Sequence, residues 1–298
     1  MIIFKSIQQL KNHLNSIQNQ GKIIGFVPTM GALHQGHISL INAAKRDCDI
    51  VVCSIFVNPT QFNDLNDLAK YPRNMEMDCQ LLEKSDCDIV FAPEVSEMYS
   101  LEELELKRQK IEDKNWTHGK SVDFGLLEKV MEGAHRPGHF NGVAQVVSKL
   151  FRIVEPRKAY FGQKDFQQLA IIKSMVKQLE MPVQIIGCPI MREPNGLAMS
   201  SRNERLTKEE REQASVIFRT LSKIKDSFAS KTVAELKAFA ESEIMSQPKM
   251  ELEYIEISDA ETLQPISDFE QSKSAVVCIA LKLGAVRLID NVLLQYTS

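Results

Sequence analysis

Five short, largely apolar runs constrain this chain more than any other feature. They are Lys22 to Val27 (KIIGFV), Asp49 to Val57 (DIVVCSIFV), Cys87 to Ala92 (CDIVFA), Lys158 to Phe161 and Val183 to Ile190. Runs of this kind suit strands covered on both faces, as in a parallel sheet. Between them, His37 to Arg46, Met75 to Lys84, Gly142 to Val154 and Asp165 to Leu179 carry apolar residues at three- and four-residue spacing, the period of a helix. Repeated strand–helix alternation predicts an α/β fold with a doubly wound (Rossmann-like) parallel sheet and right-handed crossovers. Ligands of such sheets bind at the carboxyl ends of the strands.

The pattern changes near residue 190. Thr207 to Phe228 and Val233 to Ile244 read as amphipathic helices, with Thr207, Glu209 and Glu210 at a helix start. Glu251 to Ser258 alternates strictly, as a half-exposed strand does. Ala275 to Leu281 and Val286 to Leu294 flank Lys282 to Ala285, where Gly284 suits a turn. The expected organisation is a Rossmann-like domain over residues 1–188 and a smaller C-terminal α+β domain over 189–298. Leu101 to Lys120 is charged and mixed in sign, and reads as a solvated insertion or flap.

Composition narrows the function classes. The chain has 298 residues, 44% apolar and 25% charged, with a formal net charge of -3. That is ordinary globular composition. It disfavours a broad nucleic-acid footprint while allowing a local basic pocket for a small anion. The six cysteines show neither CxxC pairs nor zinc-like spacing; Cys48, Cys53, Cys87, Cys188 and Cys278 lie in or beside apolar runs and read as buried free thiols, which fits a reducing compartment. The start, MIIFKSIQQLKNHLN, lacks signal-peptide features, and no apolar run approaches the roughly 20 residues that span a membrane. The expectation is a cytoplasmic protein that binds neither nucleic acid nor membrane.

The first predicted strand runs straight into Pro28-Thr29-Met30-Gly31-Ala32-Leu33-His34-Gln35-Gly36-His37. Gly31 and Gly36 permit tight turns and close backbone approach to a ligand. The free amides of the following helix start offer an anion site. His34 and His37, three residues apart, can both point at one phosphate, either donating a hydrogen bond or carrying charge. The pair could equally cap a turn, and metal ligation is a third reading with no further ligand nearby.

Four further stretches carry polar chemistry. Asn58 and Gln61, in NPTQF, follow the second strand and suit a small hydroxy acid, or simply a polar turn. In Met131 to Ala144 (MEGAHRPGHFNGVA), Arg136 could face a phosphate or carboxylate, and His135 and His139 could be structural. In Tyr160 to Leu169 (YFGQKDFQQL), Gly162 permits close approach and Lys164 supplies a mobile cation. Asp165 stands where a helix cap belongs, and Gln168 lies one turn inside the helix. In Leu197 to Asn203 (LAMSSRN), Ser200, Ser201 and Arg202 could grip a polyphosphate, or the serines could cap a helix. Met191 fits either a nucleotide contact or the core.

The HxGH string after the first strand resembles the signature of the nucleotidyltransferase superfamily, shared with class I aminoacyl-tRNA synthetases. The longer string FVPTMGALHQGHISLI is similar to that of the pantothenate synthetase (pantoate–β-alanine ligase) family. IFVNPTQF, YPR, EGAHRPGHFNGV, GQKDFQQ and the SSR loop resemble further segments of that family, in its order. The resemblance implies condensation of (R)-pantoate with β-alanine to pantothenate, driven by conversion of ATP to AMP and pyrophosphate through a pantoyl-adenylate. It implies ATP contacts by Met30, Gly31, Ala32, Leu33, His34, Gln35, Gly36 and His37, with His37 catalytic. It adds Gly162, Gln163, Lys164, Asp165, Met191, Met199, Ser200, Ser201 and Arg202 to the ATP contacts. His34, Lys164 and Arg202 would assist catalysis, and Gln61, Gln168 and Asn58 would bind substrate. Mg²⁺ would accompany ATP, the C-terminal domain would serve as a lid, and the family suggests a homodimer. Gln163 departs from the family's usual Glu, removing a charge near the nucleotide. Two other readings are a different nucleotidyltransferase and a non-catalytic nucleotide sensor. A tRNA synthetase is disfavoured because the chain is short and lacks a basic face.

Overall fold

A computed structural model describes residues 1–62, 65–108 and 122–295, with the side chains of 65–67 and 106–108 excepted. The strands are β1 (Ile2–Phe4), β2 (Ile24–Thr29), β3 (Ile50–Ile55), β4 (Ile89–Phe91), β5 (Lys158–Gly162), β6 (Gln184–Cys188), β7 (Met250–Asp259), β8 (Ser274–Leu283) and β9 (Val286–Gln295). The helices are α1 (Ile7–Gln18), α2 (Gln35–Asp47), α3 (Leu65–Lys70), α4 (Met75–Glu83), α5 (Val95–Met98) and α6 (Leu101–Arg108). They continue with α7 (Met131–His135), α8 (His139–Val154), α9 (Phe166–Gln178), α10 (Lys208–Gln213), α11 (Ser215–Ser227) and α12 (Val233–Met245). The charged stretch read as an insertion enters α6, and its remainder from residue 109 lies outside the described residues. Among the described residues, no helix is long and apolar enough to cross a membrane.

The chain divides into two compact units. The first comprises Met1–Phe124, Arg136–Gln163 and Gln168–Cys188. The second comprises Gly125–His135, Lys164–Gln167 and Pro189–Ser298. Two short segments from within the first 188 residues therefore belong with the C-terminal unit.

In the first unit a six-stranded parallel sheet runs in the order β1-β4-β3-β2-β5-β6. The expected doubly wound α/β fold is present. One strand escaped the sequence reading: β1 has three residues, with Ile2 and Ile3 about half exposed, too few to display a period. Ile41 and Ala44 of α2 and Leu82 of α4 pack with Val51, Cys53 and Val90 of the sheet.

Strand order reverses between β2 and β5. From β2 the chain steps to β3 and β4 on one side, then to β5 and β6 on the other. That switch point is where open α/β sheets bind ligands. Here the pairing has a specific form. β2 pairs with β3 along its whole length, Ile24 to Thr29, but with β5 only at Gly25 and Phe26. Pro28, two residues further on, has no N–H to extend a ladder. The sheet is therefore unpaired there, at the carboxyl ends of the two strands.

The second unit packs α11 and α12 on an antiparallel sheet of order β7-β8-β9. The buried face of α11 (Ile217, Leu221, Ile224) joins Leu236 of α12 and Ile255, Ile257, Val277, Ile279 and Leu281 of the sheet. Gly284, in a left-handed conformation, turns β8 into β9 as its position suggested. The single helix expected from Thr207 to Phe228 is divided into α10 and α11 at Ala214. There the bonding tightens, with Ile217 N–H donating to the Ala214 carbonyl. Ile279 is 1% exposed at the centre of this core. Ile279→Ala is expected to cost about 2–5 kcal/mol in urea unfolding, because the cavity it leaves cannot collapse fully.

Candidate active site

The loop after β2 is built to present a helix start. Thr29 Oγ1 donates to the Ser54 carbonyl at 2.6 Å and accepts the Gly31 N–H at 3.2 Å, turning the chain out of the strand. Gly31 has φ 79° and Ala32 has φ 50°. A Cβ on Gly31 would sit 2.9 Å from an Asp78 carboxylate oxygen, so glycine is required by both conformation and space.

Asp78 fixes this loop. It stands in the first half of α4, whose start is capped by Asn74, and it is 3% exposed. One carboxylate oxygen accepts the Ala32 N–H at 2.9 Å and the other accepts the Leu33 N–H at 2.7 Å. Burial raises the Asp78 carboxyl from its ordinary value, against the lowering effect of these two amides. No local pattern in the sequence announced Asp78, because its partners lie 45 and 46 positions away.

His34 and His37 form a reciprocal cap on α2. His34 Nδ1 accepts the Gly36 N–H at 3.1 Å, and His37 Nδ1 accepts the His34 N–H at 3.3 Å. Their ring centroids are 4.1 Å apart. A nitrogen that accepts an N–H has no proton of its own, so each neutral ring carries its proton on Nε2. The structure shows the capping reading of this pair: both rings complete the helix start. Capping through Nδ1 defines Nε2–H as the donor on each ring.

Gln61 is positioned by neighbours from several elements. Its amide donates to Met30 Sδ at 2.7 Å, and its Oε1 accepts from Asn58 Nδ2 at 3.2 Å. Asn58 is 1% exposed. Its amide also donates to the Gly142 carbonyl, while its Oδ1 accepts from Tyr99 Oη and from Thr60 N and Oγ1. In this structure Asn58 therefore orients Gln61, and any contact of its own with a substrate would have to replace one of these bonds. His139 Nδ1 lies 2.9 Å from the Gln61 carbonyl, and Arg136 lies 3.2 Å from His139 Nε2. A Cβ on Gly142 would fall against the Thr60 carbonyl and 2.8 Å from Gln61 Cα, so this glycine lets α8 close on the Gln61 turn. Much of the MEGAHRPGHFNGVA stretch is thus a brace.

Gly162 ends β5 across the switch point from this loop, and Gln163 follows with its N–H on the Cys188 carbonyl at 2.8 Å. Gln168 is half-buried on α9. Among the residues of the first unit, then, the β2 loop and Gly162–Gln163 share the switch-point edge.

In the second unit Lys164 is half-buried and Asp165 exposed, just before α9. The Lys164 carbonyl accepts from Asn291 Nδ2 at 2.8 Å. Gln167 is buried and structural: it accepts the Glu132 N–H and donates to the Leu127 and Val130 carbonyls. Met191 and Met199 lie at the ends of a tight hairpin, with the Met199 N–H on the Met191 carbonyl at 2.9 Å. Met191 is 41% exposed, outside the core. Ser200 caps the following turn by accepting the Arg202 N–H at 3.3 Å, which is the capping role left open for the serines. Ser201 is buried beside it.

No group of three or more His, Cys, Asp or Glu side chains among the described residues is arranged to hold a metal ion.

The fold and the β2 helix start define an α/β protein of the doubly wound, Rossmann-like class with an HxGH loop after β2. The model of the family described as pantoate-beta-alanine ligase matches residues 2–293, and the chain belongs to that family. The pantothenate synthetase of Phocaeicola vulgatus is 51% identical over 293 residues, covering 98% of this chain and 99% of that protein. The crystal structure of pantothenate synthetase from Thermus thermophilus superposes with a TM-score of 0.87 at 38% identity, covering 98% of this chain and 99% of the other. That of the ligase from Francisella tularensis, complexed with beta-gamma ATP and beta-alanine, gives 0.75 at 38% identity, covering 98% and 97%.

The raised Asp78 carboxyl has a sign that can be tested. The folded chain holds this proton more tightly than the unfolded chain. The group's contribution to stability is therefore full below the ordinary aspartate range and lost as pH rises through its raised folded value. The urea unfolding midpoint of the wild type relative to Asp78→Asn should fall as pH is raised above the ordinary aspartate range. A constant difference would show that burial does not shift this carboxyl.

Proposed function

We propose that the chain is an AMP-forming carbon–nitrogen ligase that condenses (R)-pantoate with β-alanine, using ATP, to give pantothenate and pyrophosphate. The observation that carries this reading is the β2 loop. Two imidazoles capped through Nδ1 offer Nε2–H donors at a helix start, beside an amide-rich turn and at the switch point of a parallel sheet. Family membership over nearly the whole chain supports the substrates.

The pantoate carboxylate attacks the α-phosphate of ATP. A carboxyl O–P bond forms, the bond from the α-phosphorus to the bridging oxygen breaks, and pyrophosphate leaves. The β-alanine amine then attacks the acyl carbon of the pantoyl-adenylate and loses a proton. The amide forms as the acyl–O bond to AMP breaks. The enzyme's part in the first step is positioning and stabilisation of charge on phosphate oxygens.

His34 and His37 act from the first unit as Nε2–H donors to these oxygens, with the backbone of Met30 to Gly36 and of Gly162 and Gln163 along the nucleotide. A backbone role at position 163 tolerates Gln in place of Glu. Gln61 and Gln168 bind pantoate, with Asn58 setting the Gln61 amide. From the second unit, Lys164 and Arg202 supply positive charge, and Asp165, Met191, Met199, Ser200 and Ser201 complete the ATP contacts. Mg²⁺ would arrive with the triphosphate and would supply positive charge against its oxygens. The second unit acts as a lid, and the protein works as a cytoplasmic homodimer.

The test is release of AMP, with and without pantoate and β-alanine. AMP formation that ignores pantoate would end this reading. His37→Ala should lower kcat by about a hundredfold or more, because it removes a donor to developing charge. Gln61→Ala should raise the KM for pantoate while leaving that for ATP nearly unchanged. An unaltered pantoate KM would remove Gln61 from that contact.

A further inference from the structure

β9 interrupts its own burial alternation at Asp290 and Asn291, which are 3% and 4% exposed. Consecutive strand residues face opposite sides of a sheet, so two buried polar neighbours mean that both sides are covered here. On one side Asp290 takes Arg192 in a two-pronged ion pair, with NH1–Oδ2 at 2.6 Å and NH2–Oδ1 at 3.0 Å. Arg192 also donates to the Gly196 carbonyl at 3.0 Å, and its guanidinium lies 4.4 Å from the centre of the Phe218 ring. These contacts fix the hairpin that leads into Ser200–Arg202. On the other side Asn291 Nδ2 donates to the Lys164 carbonyl at 2.8 Å. The Asn291 N–H closes the set by donating to Asp290 Oδ1 at 2.8 Å.

Stability alone does not explain this arrangement. An apolar pair of similar volume is often as stable as a buried ion pair. Burial raises the Asp290 carboxyl despite the opposing charges of Arg192 and Lys164, so the ion pair does not fully offset its own desolvation. What the two residues supply is geometry: one strand fixes both polyphosphate-directed segments of the second unit.

We propose that Asp290 and Asn291 are positioning residues for adenylate formation, Asn291 by setting the backbone of Lys164 and Asp290 by setting, through Arg192, the hairpin that carries Ser200 to Arg202. The inference rests on the ATP-directed reading of Lys164 and Arg202.

The experiment compares wild type, Asn291→Ala, Lys164→Ala and the double variant in the AMP assay, with melting curves for each. Displacing a catalytic group by an ångström can cost about a hundredfold. Asn291→Ala should therefore lower kcat by about tenfold or more, with KM for pantoate and β-alanine within about twofold of wild type. In the Lys164→Ala background the same change should cost less than about twofold, because residues that act through one another are not additive. Should Asn291→Ala melt too low to assay, Asn291→Gln keeps the donor but lengthens the side chain, and the same comparison applies. Asp290→Asn should lower kcat similarly, and its cost should shrink in an Arg202→Ala background. Wild-type turnover in Asn291→Ala, or an equal fold loss with and without Lys164, would overturn the proposal. Loss of pantoate-dependent AMP in the wild type itself would instead defeat the functional reading on which it stands.

Discussion

The pairing between β2 and β5 stops after Phe26, and the chemistry of the first unit depends on that stop. A full ladder would occupy the edge amides and carbonyls where the strand order reverses. Pro28 withholds an N–H at this position, and Thr29 then turns the backbone towards Gly31 by bonding both ways. The next residues are free to become a helix start instead of a continued strand. Local backbone chemistry thus places a helix start, with its free amides, at the topological switch point.

The helix start is held by its own side chains. The two histidines cap α2 through Nδ1, so the same bonds that complete the helix fix which nitrogen carries the proton. Asp78 adds a buried carboxylate beneath the loop. Its raised proton affinity shows that burial outweighs the two amide bonds it receives. A site assembled in this way trades stability for a fixed loop shape, as functional sites commonly do.

The second unit uses the same device with different groups. Its sheet takes two inserted segments on side chains of β7 and β9. Glu132 is gripped by Arg287 at 2.7 and 2.9 Å and by Tyr254 at 2.8 Å, while Asn291 takes the Lys164 carbonyl. Burial by itself would make Arg287 less strongly protonated, but its hydrogen bonds to Glu132 and Glu253 and the charges of both carboxylates together outweigh that and raise it above an ordinary arginine. Removing one member of such a pair would strand a buried charge, which is more costly than never having built it.

The sequence by itself determined the α/β class, the strand–helix alternation, the C-terminal α+β region and the residue types at each motif. Those properties are local: apolar period, a glycine-bearing strand-to-helix turn, a proline, two histidines three apart. Tertiary structure alone decided which polar residues hold the others in place. Asn58, read from the sequence as a substrate contact, holds Gln61 in the fold, and His139, readable as structural, lies against the Gln61 carbonyl. Asp78, Asp290 and Asn291 look like nothing in the sequence and fix the segments that matter. Their partners lie from 45 to 127 positions away. A hydrogen bond has no periodicity along the chain, so its partners become visible only when folding brings them within about 3 Å.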